Sequence, residues 1–232
     1  MLNDEERRRI EEAVRAAELR TSGEIYCVLA EESSDYRETP LAWAAIAALL
    51  GPAALLLAGV EVSAPELLDG GWSATQVSDM AEVAARSALV GAILLQGVLF
   101  VAAGLLAAWG PIRRVLTPRP LKRERVRGRA RELFLAKNLS ATRARTGVLI
   151  YVSMAEHMAE LVADEGISSR VEPGAWDRPM AALIAGLKRG ETGSGFAAAV
   201  GLCAEILAEH APADRSDNPN ELPDAVVELP RL

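Results

Sequence analysis

The sequence predicts an α/β domain that is interrupted by a two-helix transmembrane hairpin. Three observations lead to this prediction: two long uncharged apolar stretches, a helix and a strand that precede them, and alternating strand and helix patterns that follow them. Of the 232 residues, 50% are hydrophobic and 25% are charged. This charged fraction excludes a protein that lies wholly inside a membrane. Two cysteines are too few for a disulfide framework.

The two apolar stretches, residues 39–60 and 87–112, contain no Asp, Glu, Lys or Arg. About 20 apolar residues in a helix cross the hydrocarbon core of a bilayer, so each stretch is long enough to span it. Trp43 and Trp109 lie near stretch ends, as is typical of side chains at the membrane–water interface. The alternative interpretation is a buried helical hairpin in a soluble protein.

The distribution of basic residues predicts the orientation of the hairpin. Nine basic residues follow the second stretch within 113–131, whereas residues 61–82, between the stretches, include five acids and no Lys or Arg. The positive-inside rule therefore places the basic end in the cytoplasm. We assign 39–112 to the hairpin, with 61–83 as a short external loop and both termini in the cytoplasm.

The lipid bilayer is thus the first predicted partner. The basic run has a second possible role besides setting the orientation, namely contact with lipid headgroups. Basic side chains next to a membrane attract anionic lipid headgroups. A nucleic-acid partner is not expected, because no aromatic residues are interleaved with the basic ones and the chain carries a net charge of -7.

Residues 1–38 and 113–232 are predicted to fold together, because the helix and strand before the hairpin cannot bury their apolar faces alone. The second part comprises the basic juxtamembrane segment, the rest of the domain and a proline-rich tail. The predicted helices are 3–20, 123–139, 176–188 and 196–210, and the predicted strands are 24–30, 147–152 and 167–171. Residues 157–163 fit a third strand or a helical turn, and 190–195 fit a loop.

Carboxylates follow the first two predicted strands. Glu31, Glu32 and Asp35 come after the first strand, and Glu156 after the second. If these strands are adjacent and parallel, the acids gather at one edge of the sheet. Oxygen ligands suit calcium or magnesium, so these four residues are the candidate metal ligands. The alternative is an ordinary solvated rim, and no other cofactor is assigned.

Nucleophilic catalysis has one weak candidate. Ser153 follows the second predicted strand, with His157 four residues on, but no third orienting group and no nucleophile-elbow motif accompany them. A polar strand end is the simpler interpretation. Cys27 and Cys203 both lie in apolar runs, so we expect two buried thiols.

Three polar segments have simple structural explanations. The segment 164–166 is a turn signal. The glycine-rich segment 190–195 lacks the Lys of a phosphate-binding loop, so Thr192 or Ser194 is expected to cap the following helix. The acids of 217–221 lack the glycine of a calcium loop, and we expect this part of the tail to dock onto the domain.

The order of these elements resembles the TPM domain family. The most specific parts are TGVLIYVSMAEHMAELVADEGI at 146–167 and NELPD at 220–224, and the resemblance covers 1–38 and 123–229. It implies a three-layer α/β/α sandwich, here split by the inserted transmembrane hairpin. The hairpin after the first strand is similar to a bacterial membrane-bound branch, which implies the bacterial inner membrane.

The resemblance implies several functions without selecting one. Some members of the family are weak acid phosphatases or calcium binders, and others act in assembly, repair or channel regulation. We expect an accessory or assembly factor that binds a protein partner, and the alternative is a weak divalent-cation-dependent acid phosphatase or a calcium-binding domain. No catalytic residue is assigned. Transport ranks last, because the spans carry no charged residue for an ion pathway.

Overall fold

The computed structural model describes residues 2–59, 77–142, 145–213 and 222–231. Two compact units make up the chain. The first, here called the α/β unit, consists of Met1–Asp35 and Arg119–Leu232, and the second, the helical unit, is Tyr36–Pro118.

The secondary structure combines eight α-helices and four strands within the described residues. In chain order the elements are α1 Asp4–Glu18, β1 Ile25–Ala30, α2 Glu38–Leu57, α3 Val77–Ala108, α4 Gly110–Leu116, α5 Arg119–Ala136, β2 Val148–Ser153, β3 Met158–Ala163, α6 Glu165–Ser168, α7 Asp177–Lys188, α8 Thr192–His210 and β4 Val227–Leu229.

Helix α1 begins where the sequence predicts, because a reciprocal cap satisfies its first amides. The Asn3 side chain accepts a hydrogen bond from the Glu6 amide at 2.8 Å, and the Glu6 carboxylate accepts one from the Asn3 amide at 3.0 Å. Ile10, Val14 and Ala17 then form the buried face of the helix.

The four strands form one sheet in the order β3-β2-β1-β4. β1 runs parallel to both β2 and β4, and β3 runs antiparallel to β2. All six residues of β1 and of β2 are buried. Strands buried on both faces read as continuous apolar runs, as these two do in the sequence.

Helices cover both faces of the sheet. Ile25, Cys27 and Leu29 join one core cluster, which includes residues of α1, α7 and α8. The alternate residues of β1 join a second cluster, whose α-helical members come from α5. The predicted α/β class is therefore confirmed.

One local prediction is wrong, and the structure adds detail to two others. Residues 167–171 do not form an edge strand, because the amides of Ile167 and Ser168 bond back to the Asp164 carbonyl and begin the helical turn α6. The alternative left open for 157–163 is resolved as strand β3, which pairs with β2 over its whole length. The proline-rich tail also contributes a strand, β4, which pairs with β1.

The predicted loop 190–195 is also wrong, because α8 already begins at Thr192. Neither Thr192 nor Ser194 caps the helix; the N-cap residue is Glu191, and its side chain makes no capping bond. Ser194 lies within the helix and accepts a hydrogen bond from Arg9 at 2.7 Å. The glycines permit close packing: a Cβ at Gly193 would lie 2.8 Å from the Glu6 Cβ.

Two other predicted segments fall wholly or largely outside the described residues. The tail acids of 217–221 lie outside them, as do residues 61–76 of the predicted loop 61–83. The remainder of that loop is helical, since α3 begins at Val77.

The helical unit contains two helices that are long and apolar enough to span a membrane, Glu38–Leu57 and Arg86–Ala108. Only 6% of either apolar segment is buried. Small residues lie where the helices meet: a Cβ at Gly51 would lie 2.5 Å from Leu99, and one at Gly104 would lie 3.5 Å from Ala44. These contacts make α2 and α3 an antiparallel pair.

We predict that Gly186→Ala destabilises the α/β unit by about 1–3 kcal/mol. A Cβ at Gly186 on α7 would lie 2.4 Å from the Gly195 Cα and 2.8 Å from the Gly195 nitrogen of α8. These are backbone atoms, so the two helices must separate to accommodate a methyl group. Thermal unfolding of the purified full chain measures the change.

Gly201→Ala is the matched control for this prediction. A Cβ at Gly201 meets no described atom within 4 Å, so alanine should keep or raise stability by up to about 1 kcal/mol through its higher helix propensity. Equal melting temperatures for the two variants would contradict the close approach of α7 and α8.

We also predict that stability falls as the pH rises from about 4.5 to about 8, because of Glu18. Burial, with the negative charges of Glu24 and Asp224 beside it, raises the pKa of the Glu18 carboxyl from its ordinary 4.5 to about 8. Between these values the folded chain binds more protons than the unfolded chain, so the penalty for ionising Glu18 is absent below pH 4.5 and complete above pH 8.

Glu18→Gln removes this ionisation and should stabilise the chain above pH 8 by on the order of 1–2 kcal/mol, allowing for solvent screening. The advantage should vanish near pH 4. Unfolding of both chains across this pH range measures the difference, with Glu12→Gln, an exposed acid on the same helix, as the control. A pH-independent gain would contradict the role of the Glu18 charge.

Candidate functional site

The carboxyl ends of β1 and β2 lie side by side, as the acid-cluster hypothesis requires. The strands pair in parallel register from Ile25 with Val148 to Ala30 with Ser153. The segments that leave them are joined by backbone bonds, from the Met154 amide to the Ala30 carbonyl and from the Ala155 amide to the Glu31 carbonyl, both at 2.9 Å. Polar side chains after the two strands therefore meet at this edge.

A buried hydrogen-bond network occupies this edge. The Ser33 hydroxyl lies 2.8 Å from the Tyr151 hydroxyl and donates to the Ser153 hydroxyl at 2.8 Å. Ser153 in turn donates to a carboxylate oxygen of Glu156. The Ser33 amide also donates to Glu156, at 3.3 and 3.4 Å to its two oxygens. We call these four residues the strand-end network.

The direction of each hydrogen bond between these side chains can be assigned. Each hydroxyl has one proton, and Ser33 uses its proton on Ser153. Tyr151 therefore donates to Ser33, and the chain of bonds ends on the Glu156 carboxylate. Burial raises the pKa of Tyr151, and the nearby Glu156 charge adds to that effect. A fully satisfied buried network of this kind holds two segments of chain in a fixed position.

The same geometry bears on the Ser153 and His157 hypothesis. Ser153 is completely buried, and its described hydrogen bonds join it to Ser33 and Glu156, not to His157. His157 is exposed and adopts a left-handed backbone conformation, with φ of 53°, at the turn before β3. In this arrangement the described hydrogen bonds give the Ser153 hydroxyl no imidazole base.

The four candidate metal ligands have different surroundings. Glu156 belongs to the strand-end network, and Glu32 is buried with its carboxylate 3.3 Å from the Arg231 guanidinium. Glu31 and Asp35 are half-buried. Among the described residues, no group of three or more His, Cys, Asp or Glu side chains has the arrangement to hold a metal ion. The acids share a region of the fold, but the hydrogen bonds and ion pair described bind Glu32 and Glu156 to protein groups.

The other predicted sites have structural roles. Cys27 and Cys203 are buried free thiols, as expected, and burial raises the pKa of Cys203 to about 12. Asp164 is 3% exposed, and its carboxylate lies 3.6 Å from Arg145. It occupies the N-cap position of α6 but makes no side-chain capping bond.

A groove lined by basic side chains lies next to the strand-end network. It has a volume of about 1040 Å³ and is lined on one side by α5 and on the other by Glu156, His157 and Met158. Its five basic lining residues are Arg119, Lys122, Arg123, Arg127 and Arg131. We call this feature the basic groove.

A second cavity of about 460 Å³ adjoins the basic groove and shares Arg123, His157 and Met158 with it. Its other lining residues come mainly from β2, β3 and α7 and include Met154, Ile184 and Leu187. We call it the apolar pocket.

Sequence reasoning missed three participants of these features. Ser33 and Tyr151 were not singled out, because nothing in a serine-rich loop or an apolar strand marks a hydrogen-bond partner. Arg231 lies in the tail, just after strand β4. The short segment of β4 carries no clear sequence signal that it pairs with β1. The basic run was visible, but the α5 face that lines the groove was not.

Comparison with known proteins supports the resemblance to the TPM domain family. Residues 112–206 match the family model described as TPM domain. The fold is similar to that of the BA42 protein from the psychrophilic bacterium Bizionia argentinensis, whose NMR structure shares 18% identity and a TM-score of 0.54 over 98% of this chain and 95% of that one. No curated protein matches the chain.

The match extends over α5, β2, β3, α7 and most of α8, which includes the 146–167 motif that first indicated the family. The likeness to BA42, at this identity, concerns the fold alone. The family-model match confirms the resemblance to the TPM domain over residues 112–206, and the sheet with helices on both its faces agrees with it.

Proposed function

We propose that the chain is a bacterial inner-membrane protein, anchored by α2 and α3, whose TPM domain serves in the cytoplasm as an accessory or assembly factor for a protein partner. The domain takes the form of a three-layer α/β/α sandwich split by the transmembrane hairpin. One observation carries the membrane part: the large apolar side chains of α2 and α3 face outward.

Exposed apolar side chains occur along the length of both helices. Leu57 is 91% exposed, Leu49 is 70% exposed and Leu105 is 72% exposed. Leu50, Leu56, Leu89, Leu94, Val98 and Leu106 are each at least 59% exposed. In water, each exposed leucine loses the stabilisation of about 1.5–3 kcal/mol that burial of its side chain would give. In a bilayer, the hydrocarbon covers the same side chain.

The contacts inside the hairpin also suit lipid. Ala44 and Ala107 are buried, and Gly51 and Gly104 lie at the close approaches of the two helices. In a bilayer, helices associate through such small residues, since apolar side chains gain nothing by leaving lipid. The basic residues of α5 then favour a cytoplasmic position for the α/β unit.

The accessory role is supported by the state of the strand-end network. Its hydroxyls and carboxylate are buried and bonded to one another, so this edge presents a rigid surface and not a reactive group. Exposed apolar side chains elsewhere on the α/β unit, Leu19 at 78% and Leu135 at 64%, suit contact with another protein.

A second candidate function is a weak divalent-cation-dependent acid phosphatase or calcium-binding domain. The juxtaposed carboxyl ends of β1 and β2 favour it, because they bring Glu156 to the segment that follows β1. Cation-dependent hydrolysis of an aryl phosphate by the full chain, lost on Glu156→Gln with the fold intact, would favour this function over the first.

We predict opposite labelling of two single cysteines placed in the loop and in the domain. Cys27 and Cys203 are buried, so the native chain gives little background with a membrane-impermeant maleimide. In intact cells Ser63→Cys should be labelled, whereas Ser169→Cys, at an exposed position of the α/β unit, should react only after permeabilisation. The reverse pattern would invert the topology, and release of the chain by alkaline carbonate would exclude a spanning hairpin.

We predict further that one protein is recovered with the tagged full chain after crosslinking in native membranes. Leu19→Glu or Leu135→Glu should lower that recovery roughly fivefold or more if the affected leucine lies in the interface, because a charge would be desolvated there. Ser169→Glu, an exposed polar position, is the control. Recovery that equals the level from membranes without the tagged chain, in repeated experiments, would contradict the accessory role.

A further inference from the structure

We propose that the basic groove and the apolar pocket together form a binding site for an anionic phospholipid. In this site the arginines of α5 hold the lipid phosphate, and the apolar pocket takes the first part of an acyl chain. The lipid source of the phosphate rests on the proposed membrane anchorage, whereas the site itself rests only on residues of the α/β unit.

The spacing of the arginines places them in one row. Arg119, Arg123, Arg127 and Arg131 are four residues apart, so they share one face of α5, and all four are exposed and line the groove. Arg129, on the same helix, does not line the groove and pairs with Glu132 at 3.2 Å. The helix therefore presents a distinct basic face to the cavity.

The donors of this row are available to a ligand. To the described residues, Arg119, Arg123 and Arg131 make no ion pair, and Arg127 makes one with Glu160 at the long distance of 3.6 Å. Guanidinium groups bind phosphate through paired N–H donors and hold their charge at any physiological pH. A row of guanidinium groups in a concave site selects an anion.

The acids of the groove do not cancel this charge. Two carboxylates, Glu124 and Glu156, line it beside five basic side chains. Glu156 is buried and accepts hydrogen bonds from Ser33 and Ser153, which spread its charge inside the protein. The positive potential of the groove is thus local in a chain whose net charge is -7.

The apolar pocket offers space for a second, apolar part of the ligand beside its charged lining residues Glu160 and Lys188. It opens from the basic groove at Arg123, His157 and Met158, so one molecule can occupy both cavities. Its volume of about 460 Å³ is in the usual range for a small-molecule site, and Met154 and Ile184 line it although each is at least 40% exposed to water. An aliphatic chain would cover these side chains.

The lining also distinguishes a lipid from a nucleic acid. Within the described lining of the two cavities there is no Phe, Tyr or Trp on which a base can stack. In the chain, Arg119 directly follows Pro118, the last residue of the unit that carries the two membrane-length helices. A molecule with a phosphate and an aliphatic chain is most abundant at a membrane surface.

The test uses the purified full chain in uncharged maltoside micelles. Calorimetric titration with dihexanoyl phosphatidylglycerol, an anionic lipid of short chain length, should give saturable binding that weakens as the NaCl concentration rises. Dihexanoyl phosphatidylcholine, whose headgroup is zwitterionic, should bind at least roughly tenfold more weakly, and inorganic phosphate should also bind more weakly because it leaves the apolar pocket empty.

Two charge-matched variants locate the site. Arg123→Gln removes a guanidinium shared by both cavities and should weaken phosphatidylglycerol binding roughly tenfold, as loss of a charge-assisted contact does. Arg129→Gln removes the same charge from the same helix outside the groove and should leave the affinity within about twofold. Equal effects of the two variants would overturn the assignment in favour of general attraction to a basic helix.

A third variant tests the cavity without changing charge. Gly128 lines the groove, and a Cβ there meets no described atom within 4 Å, so Gly128→Leu fills the groove without displacing the core. It should abolish lipid binding while the melting temperature stays equal or rises, since leucine favours the helix more than glycine does. Undiminished binding in a folded Gly128→Leu chain would overturn the proposal.

The remaining outcomes separate this proposal from the membrane anchorage. Binding of inorganic phosphate as tight as that of phosphatidylglycerol would overturn the lipid assignment and indicate a soluble phosphorylated ligand. Tight binding of a single-stranded oligonucleotide that competes with the lipid would overturn it in favour of nucleic acid. The short-chain lipid is presented without a bilayer, so lipid binding and membrane anchorage are tested separately. A chain that alkaline carbonate releases from membranes can still bind the lipid, and a chain that resists carbonate can still show no lipid binding, which would overturn this proposal.

Discussion

The parallel pairing of β1 with β2 is the constraint on which the rest of the structure depends. β1 ends at Ala30 and β2 begins at Val148, so the pairing joins parts of the chain that are far apart in sequence. Neither strand can satisfy its backbone groups or cover its two apolar faces alone. The chain that leaves the α/β unit after Asp35 must therefore return to it at Arg119.

A helical hairpin is a suitable insertion for this purpose, because two antiparallel helices bring the chain back near the place where it left. The entropy of closing a long loop grows only slowly with its length, so the insertion costs the sheet little more than a short connection would. The strand-end network then fixes the point of departure. Ser33, two residues before the α/β unit ends, is tied by three groups to β2 and the turn after it.

Charge is distributed unevenly over the α/β unit. Three acids, Glu18, Glu24 and Asp224, lie close together near the start of β1, where burial and mutual repulsion raise the pKa of Glu18. The five basic side chains of the groove belong to α5 and lie beside the turn that follows β2. Because β1 and β2 are parallel, the acidic and basic groups are associated with opposite ends of the same pair of strands.

The sequence alone determined those parts of the fold that depend on interactions between residues close together in the chain. The capping box of α1, the two continuous apolar strands and the two uncharged helices follow from side-chain periodicity and cap chemistry, which act within a few residues. The family motif at 146–167 and the burial of Cys27 and Cys203 could also be predicted. The sequence predicted that the acids after the first two strands gather at one edge of the sheet if those strands are adjacent and parallel, and β1 and β2 meet that condition.

Only the tertiary structure decided which partners those residues have. Whether Glu156 faces a cation, solvent or the Ser33 amide depends on the register between β1 and β2, which lie more than a hundred residues apart, and no local pattern records that register. Strand β4 likewise depends on tertiary structure, because it pairs with the open edge of β1. The start of α8 does too, because Gly193 and Gly195 permit close contacts with α1 and α7, and helix propensity does not predict such contacts. The basic run was plain in the sequence, but a groove needs a second wall, and the turn at His157 supplies it only in the folded chain.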